Sequence, residues 1–131
     1  VLWKQVLQFS ESYELLSKGC KYVSLTLDYP FITLEEQSRF MVGVTLPQSF
    51  KIPKGFGVYE VPAGEYAIFR FKGLYHELNR VYRYIYLDWL PANDYSLREP
   101  FTFETYINTP EKTPVSELIT DIYLPVKKKE I

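Results

Sequence analysis

One carboxylate in this chain stands where a strand should be apolar. Glu104 lies in the run Phe101-Thr102-Phe103-Glu104-Thr105-Tyr106-Ile107. Alternate residues of a strand share a face. Phe101, Phe103, Thr105 and Ile107 therefore point one way, and Thr102, Glu104 and Tyr106 the other. The first set suits a core between sheet and helix. The second suits the floor of a cavity. A carboxylate framed by phenol rings is a receptor for a cation. Its charge pairs with the ligand, and each ring face adds roughly 0.5–2 kcal/mol of cation–π attraction. The plain alternative is a glutamate on a solvent-facing sheet surface, or one paired with an arginine such as Arg70. The residues alone leave these readings even.

Other chemistry is sparse. His76 is the only histidine, and it falls at a helix start where a surface or capping role suits it better than catalysis. There is no Cys/His cluster with zinc spacing. No Gly-rich phosphate loop joins a strand to a helix, since the glycines of Gly55-Phe56-Gly57 precede no helix. A Ser-His-Asp triad stays open, but the chain has no nucleophile elbow. No metal or cofactor is expected.

The chain has 131 residues, the size of one domain, and a formal net charge of −1, which excludes a broad basic face for nucleic acid. Lys127-Lys128-Lys129 reads as a solvated tail. The single cysteine, Cys20, excludes an internal disulfide and reads as packing. No apolar run is long enough to span a bilayer. Together these features read as a soluble cytoplasmic domain. Aromatic residues make up 18% of the chain, and twelve are tyrosines. Tyrosine joins an apolar face to a polar tip, so its abundance fits an aromatic-lined pocket as well as a Tyr-rich core.

The elements that must position Glu104 follow from periodicity. Leu2, Val6, Phe9, Tyr13 and Leu16 predict a helix over 1–16, stopped by Gly19. Strands are predicted over Tyr22–Leu27, Phe40–Leu46, Gly55–Val61, Glu65–Phe71, Phe101–Ile107 and Asp121–Val126. Leu74–Leu90 keeps one apolar face and predicts the second helix, ended by Pro91. Ala92–Pro100 reads as a loop. Thr33 with Glu36, and Thr113-Pro114, each open a short helical turn.

The order of elements repeats. Asp28, Pro30 and Thr33 stand 80 residues before Asn108, Pro110 and Thr113, and Leu46-Pro47 stands 78 before Leu124-Pro125. This reads as an internal duplication, with halves of about 1–50 and 56–127 in a single domain over 1–131. The second half opens with a strand before its helix. The first half lacks one, so a matching strand is expected upstream of Val1. The offset of 80 pairs Glu104 with Ser24, which shares a face with Tyr22 and Thr26. Pseudo-symmetry thus makes Tyr22, Ser24 and Met41 further pocket candidates.

The segments YVSLTLDYPFITLEEQSRFMVGVTLP, VPAGEYAIFRFKG, DWLP and FTFETYINTPEKTPVSELITDIYLPV resemble the GyrI-like small-molecule-binding domain, the effector-binding domain of AraC-type and MerR-type transcription regulators. The most specific part is Phe103-x-x-Tyr106-x-Asn108-x-Pro110, a short turn, then Ile122-Tyr123-Leu124-Pro125-Val126. Gln37-Ser38-Arg39 departs from the pattern, keeping its arginine but not a preceding lysine-cysteine pair. The resemblance implies an α+β fold of duplicated β-α-β-β halves. Their antiparallel sheet would carry two long helices on one side and a ligand groove between the halves, here without its first strand. It implies that Glu104 matches the acidic residue that contacts ligands, with Tyr106 beside it, and that Trp89 and Tyr86 face the pocket. For Tyr82 and Ile85 ordinary helix-to-sheet packing is expected. The ligand implied is bulky, aromatic and often cationic, as in multidrug binding.

Three functions stay open at this point. The leading one is the effector-sensing module of a bacterial AraC-type transcription regulator, reaching DNA only through a helix-turn-helix domain outside this chain. The second is a hydrolase of cyclopropane-bearing genotoxic compounds, as some GyrI-like proteins are, carried by Glu104 and Tyr106. The third is a protein-binding gyrase inhibitor. Ligand identity and oligomeric state, a dimer included, are not fixed by the sequence.

Overall fold

Helix α1 spans Leu2–Ser12, with Val6 and Phe9 buried one turn apart and Lys4, Gln5 and Gln8 exposed. It ends well before Gly19. Glu14 takes a left-handed conformation at φ 51°. The Glu14 N–H donates to Glu11 O at 3.2 Å and the Leu15 N–H to Ser10 O at 3.0 Å. This pair of bonds is a Schellman cap, which satisfies the last carbonyls and turns the following apolar residue back onto the helix. Leu15 is accordingly fully buried, in a cluster with Phe9, Cys20, Val44, Leu46 and Phe50.

The computed structural model describes residues 2–15, 19–26, 40–47, 50–51, 55–57, 59–98, 102–110 and 112–128. The Asp28–Arg39 segment, including the expected turn at Thr33, lies outside them. The strands are β1 Tyr22–Thr26, β2 Phe40–Val44, β3 Tyr66–Lys72, β4 Tyr95–Leu97, β5 Thr102–Tyr106 and β6 Ile119–Lys128. They form an antiparallel sheet in the order β2-β1-β5-β6-β3, with β4 on the end of β6. The fold is thus α+β, as expected. Adding 80 to both members of a β1/β2 pair gives a β5/β6 pair. Val23↔Gly43 becomes Phe103↔Tyr123, and Ser24↔Val42 becomes Glu104↔Ile122. By this register Leu124 corresponds to Val44, so the two Leu-Pro pairs are not equivalent positions.

Directly paired residues share a face. Val44, Tyr22, Tyr106 and Thr120 therefore lie on one side with Ser24, Glu104 and Ile122. Both helices cover this side. α1 packs over β2, and the second helical segment packs Leu78 and Ile85 on Ile122, Leu124 and Val126. That segment is less regular than its periodicity predicts. A 3₁₀ turn at Tyr75–Glu77 leads into α2 (Leu78–Tyr84), a π-turn at Ile85–Trp89 and α3 (Leu90–Ala92). The helix therefore continues past Pro91. Proline in a regular helix clashes with the carbonyl four residues earlier, and a wider π-turn at that point relieves the clash. The Asn93 side chain donates to Trp89 O at 2.7 Å, taking up a carbonyl of the widened turn.

Two predicted elements change. Gly55–Val61 forms no strand among its described residues: Gly55 has φ +98°, and no other strand pairs with the segment. The expected loop Ala92–Pro100 contains β4, because β6 runs on to Lys128 and offers an unpaired ladder at Val126–Lys128.

Candidate functional site

Strands β1 and β5 meet at the middle of the sheet, and Ser24↔Glu104 is the central pair of their register. Glu104 is half-buried on the helix-covered face, in the interval between α1 and α2. Its carboxylate accepts two phenol hydrogen bonds. The Tyr82 hydroxyl donates to Oε2 at 2.5 Å from α2, and the Tyr106 hydroxyl to Oε1 at 3.0 Å from two residues along β5. Hydrogen bonds to an ionised acceptor are shorter and stronger than neutral ones.

The phenols respond to this setting. Burial, followed by the charge of Glu104 and the bond to it, pushes Tyr82 well above the ordinary tyrosine value, with a small further contribution from nearby Tyr86. Burial first, then the charge of Glu104 and the bond to it, also raise Tyr106. Tyr75 is also raised, by burial first and by the Glu104 charge second. All three stay protonated through the neutral range, as donors or neutral rings rather than proton carriers.

Aromatic rings enclose the pair. Tyr22, directly opposite Tyr106, is only 5% exposed. Trp3 of α1 meets Tyr22 edge-on at 6.0 Å and Tyr106 at 5.6 Å between ring centroids. Tyr75 meets Tyr106 at 5.6 Å. Thr102, on the same face, is buried beside the Tyr82 hydroxyl. An open concavity of about 670 Å³ lies elsewhere, between α1 and Phe56. The carboxylate is the stronger candidate, because a shallow depression lined by Gln5, Gln8, Phe9 and Tyr13 gathers no charge.

The sequence candidates divide. Glu104, Tyr106, Tyr22 and Ser24 come together. Tyr86 lies beside Tyr82 at the edge of the α2 core. Trp89 does not reach the carboxylate. It stands edge-on to Phe69 at 5.0 Å and stacks on Tyr95 at 5.8 Å. Met41 pairs with Leu25, which places both on the opposite sheet face from Ser24. Arg70, the alternative partner of Glu104, is also on that opposite face and makes a two-pronged ion pair with Asp121 at 2.8 and 3.0 Å. Tyr82, expected in the core, is a direct ligand of the carboxylate. Ile85 packs in the core as expected. Trp3 and Tyr75 were not anticipated. Tyr75 had a signal in its spacing from Tyr82, two helical turns apart on one face, and Trp3 had none.

Among the described residues no three His, Cys, Asp or Glu side chains lie close enough to share a metal. No helix among them is long and apolar enough to cross a membrane. A family model for the GyrI-like small molecule binding domain matches residues 1–127. A DNA gyrase inhibitor of Serratia proteamaculans (strain 568) is 33% identical over 112 residues, which cover 82% of this chain and 70% of that protein.

Proposed function

The chain belongs to the family of GyrI-like small-molecule-binding domains, and from that membership we propose that it binds bulky aromatic cations, with Glu104 as the charge receptor. The observation that carries this reading is the carboxylate between the helices, held by Tyr82 and Tyr106 and surrounded by the rings of Trp3, Tyr22 and Tyr75. Both carboxylate oxygens accept a phenol hydrogen bond, and bonds to the ionised form favour it over the protonated one, which suits a fixed negative charge better than a group that must take up a proton. The hydrolase reading is therefore weaker than the binding one. Rings at several angles tolerate more than one ligand shape.

The wider role we propose is effector sensing for an AraC-type transcription regulator, with DNA contacted by a helix-turn-helix domain outside this chain. The net charge of −1 fits a module that senses rather than grips phosphate. A second reading is inhibition of DNA gyrase, favoured by the name of the Serratia relative. Calorimetric titration with proflavine, a planar tricyclic cation, tests the binding. Wild type should saturate, and Glu104→Gln should bind roughly tenfold more weakly, about 1.4 kcal/mol. Equal affinity in the two proteins would remove Glu104 from the site. A gyrase supercoiling assay with added protein tests the second reading.

A further inference from the structure

The sheet ends on β3, and among the described residues no strand flanks its outer side. Its inner side is fixed by the register with β6. The Val126 N–H donates to Glu65 O at 3.1 Å and the Gly73 N–H to Leu118 O at 2.8 Å, one bond just before the strand and one just after it. Bonded and non-bonded pairs alternate in an antiparallel ladder, so Ala67, Phe69 and Phe71 also turn their backbone groups toward β6. Pro125, which has no N–H to give, accordingly stands opposite Tyr66. The backbone groups of Tyr66, Ile68, Arg70 and Lys72 then point outward, a row of donors and acceptors at a sheet edge. In the middle of that row Ile68 is 55% exposed, on the sheet face opposite the helices. On the helix side a groove of about 310 Å³ runs beside the edge, between Phe71, Val81, Tyr84 and the Glu77–Arg80 ion pair.

We propose that this edge is a self-association surface: a second copy of the chain pairs its β3 antiparallel to the first, across a two-fold axis at Ile68. Only the outward residues can exchange bonds across such an axis, which leaves few registers. An axis at Ala67 shortens the ladder to Tyr66 and Ile68. An axis at Phe69 sets Ile68 against Arg70, and Lys72 against Tyr66, whose ring already carries the Arg98 guanidinium at 4.5 Å. An axis at Arg70 sets two guanidinium groups opposite each other. The Ile68 axis buries that exposed side chain against an identical one. It brings Arg70 to Tyr66 with its charge already matched by Asp121. On the helix side, Phe71 then meets the exposed Glu65 of the second copy at the groove, where Arg80 offers the opposite charge. One strand pair is a small contact, so the dimer forms at roughly 10–500 µM. The joint lies two strands from β5 and does not involve Glu104, so it is independent of the cation-binding reading.

Sedimentation velocity of the whole chain, from well below to above that concentration range, reads the equilibrium. Wild type should pass from monomer to dimer. Ile68→Lys, which sets two ammonium groups at the axis, should weaken the dimer roughly tenfold or more. Ile68→Val should stay within about threefold of wild type. Urea denaturation verifies that each variant folds. The axis itself is read by cross-linking in air. Two copies of residue 68 would stand roughly 5.5 Å apart between Cα atoms, within disulfide reach. Two copies of residue 72 would lie roughly 27 Å apart. Ile68→Cys should therefore give a covalent dimer, while Lys72→Cys and wild type, with only its buried Cys20, should not. If Ile68→Lys fails to fold, the cysteine pair still decides. A dimer indifferent to Ile68→Lys, or one that Lys72→Cys cross-links ahead of Ile68→Cys, would overturn the proposal. A monomer over the whole range would overturn it too, and would leave the edge to a strand of another protein.

Discussion

The Tyr82–Glu104–Tyr106 group ties stability to pH in a definite direction. Tyr82 and Tyr106 have folded values above the ordinary 10, chiefly through burial. A raised value means that the folded state prefers the neutral phenol. The stabilisation is full below about pH 10 and is lost as pH rises toward the folded values. Absorbance at 295 nm should show Tyr75, Tyr82 and Tyr106 ionising late in the native protein and normally in urea. A native titration with no late phase would contradict the arrangement. Tyr82→Phe leaves one carboxylate oxygen without its phenol and should cost about 1–3 kcal/mol of unfolding free energy, read by urea denaturation. Strand alternation made the side of Glu104 legible, and the 80-residue offset identified Ser24. Tyr82 was hidden because its position satisfies a core pattern equally well. Periodicity reports which face is turned inward, and a ring can satisfy it with a hydroxyl at its tip.

The helices show where sequence patterns lose their hold. Residues over 74–90 have one apolar face, and the helical segment exists, but the π-turn at Ile85–Trp89 adds a residue to one turn. Side chains beyond it rotate by about 100° relative to an unbroken α-helix. Trp89, the last residue of the widened turn, meets Phe69 and Tyr95. Nothing in apolar spacing announces a π-turn, though Pro91 supplies its cause. The end of α1 is a similar case. Gly19 looked like the stop, yet Glu14 makes the left-handed turn and Leu15 is the residue that returns to the core. Leu15→Ala should cost about 2–5 kcal/mol, because it empties a fully buried position. Glu14→Gly should recover up to about 1 kcal/mol by relieving the left-handed backbone. Denaturation of both variants checks the cap. A Glu14→Gly protein markedly less stable than wild type would show that the glutamate's own contacts outweigh the backbone term.

At the scale of the whole molecule, the β1/β2 and β5/β6 pairs share one register, and β1 meets β5 at Ser24↔Glu104. Matching strand registers do not require matching side chains at that meeting place. Serine on one side and glutamate on the other put a single carboxylate at the centre, so on the proposed reading one cation would be held off-axis rather than two equally. Separate apolar clusters lie under α1 and under α2. A ligand touching Trp3 of α1 and Tyr82 of α2 together would bridge the two helical segments and stabilise the folded state as a unit. At a free concentration one hundred times its Kd, a ligand adds about 2.7 kcal/mol. For a domain of this size that corresponds to a rise in Tm of roughly 5–10 °C. Scanning calorimetry with proflavine should show one transition moving upward with ligand concentration in wild type, and a much smaller movement in Glu104→Gln. A transition that splits, with one part insensitive to ligand, would mean that the ligand engages one half alone and that the cleft does not couple them.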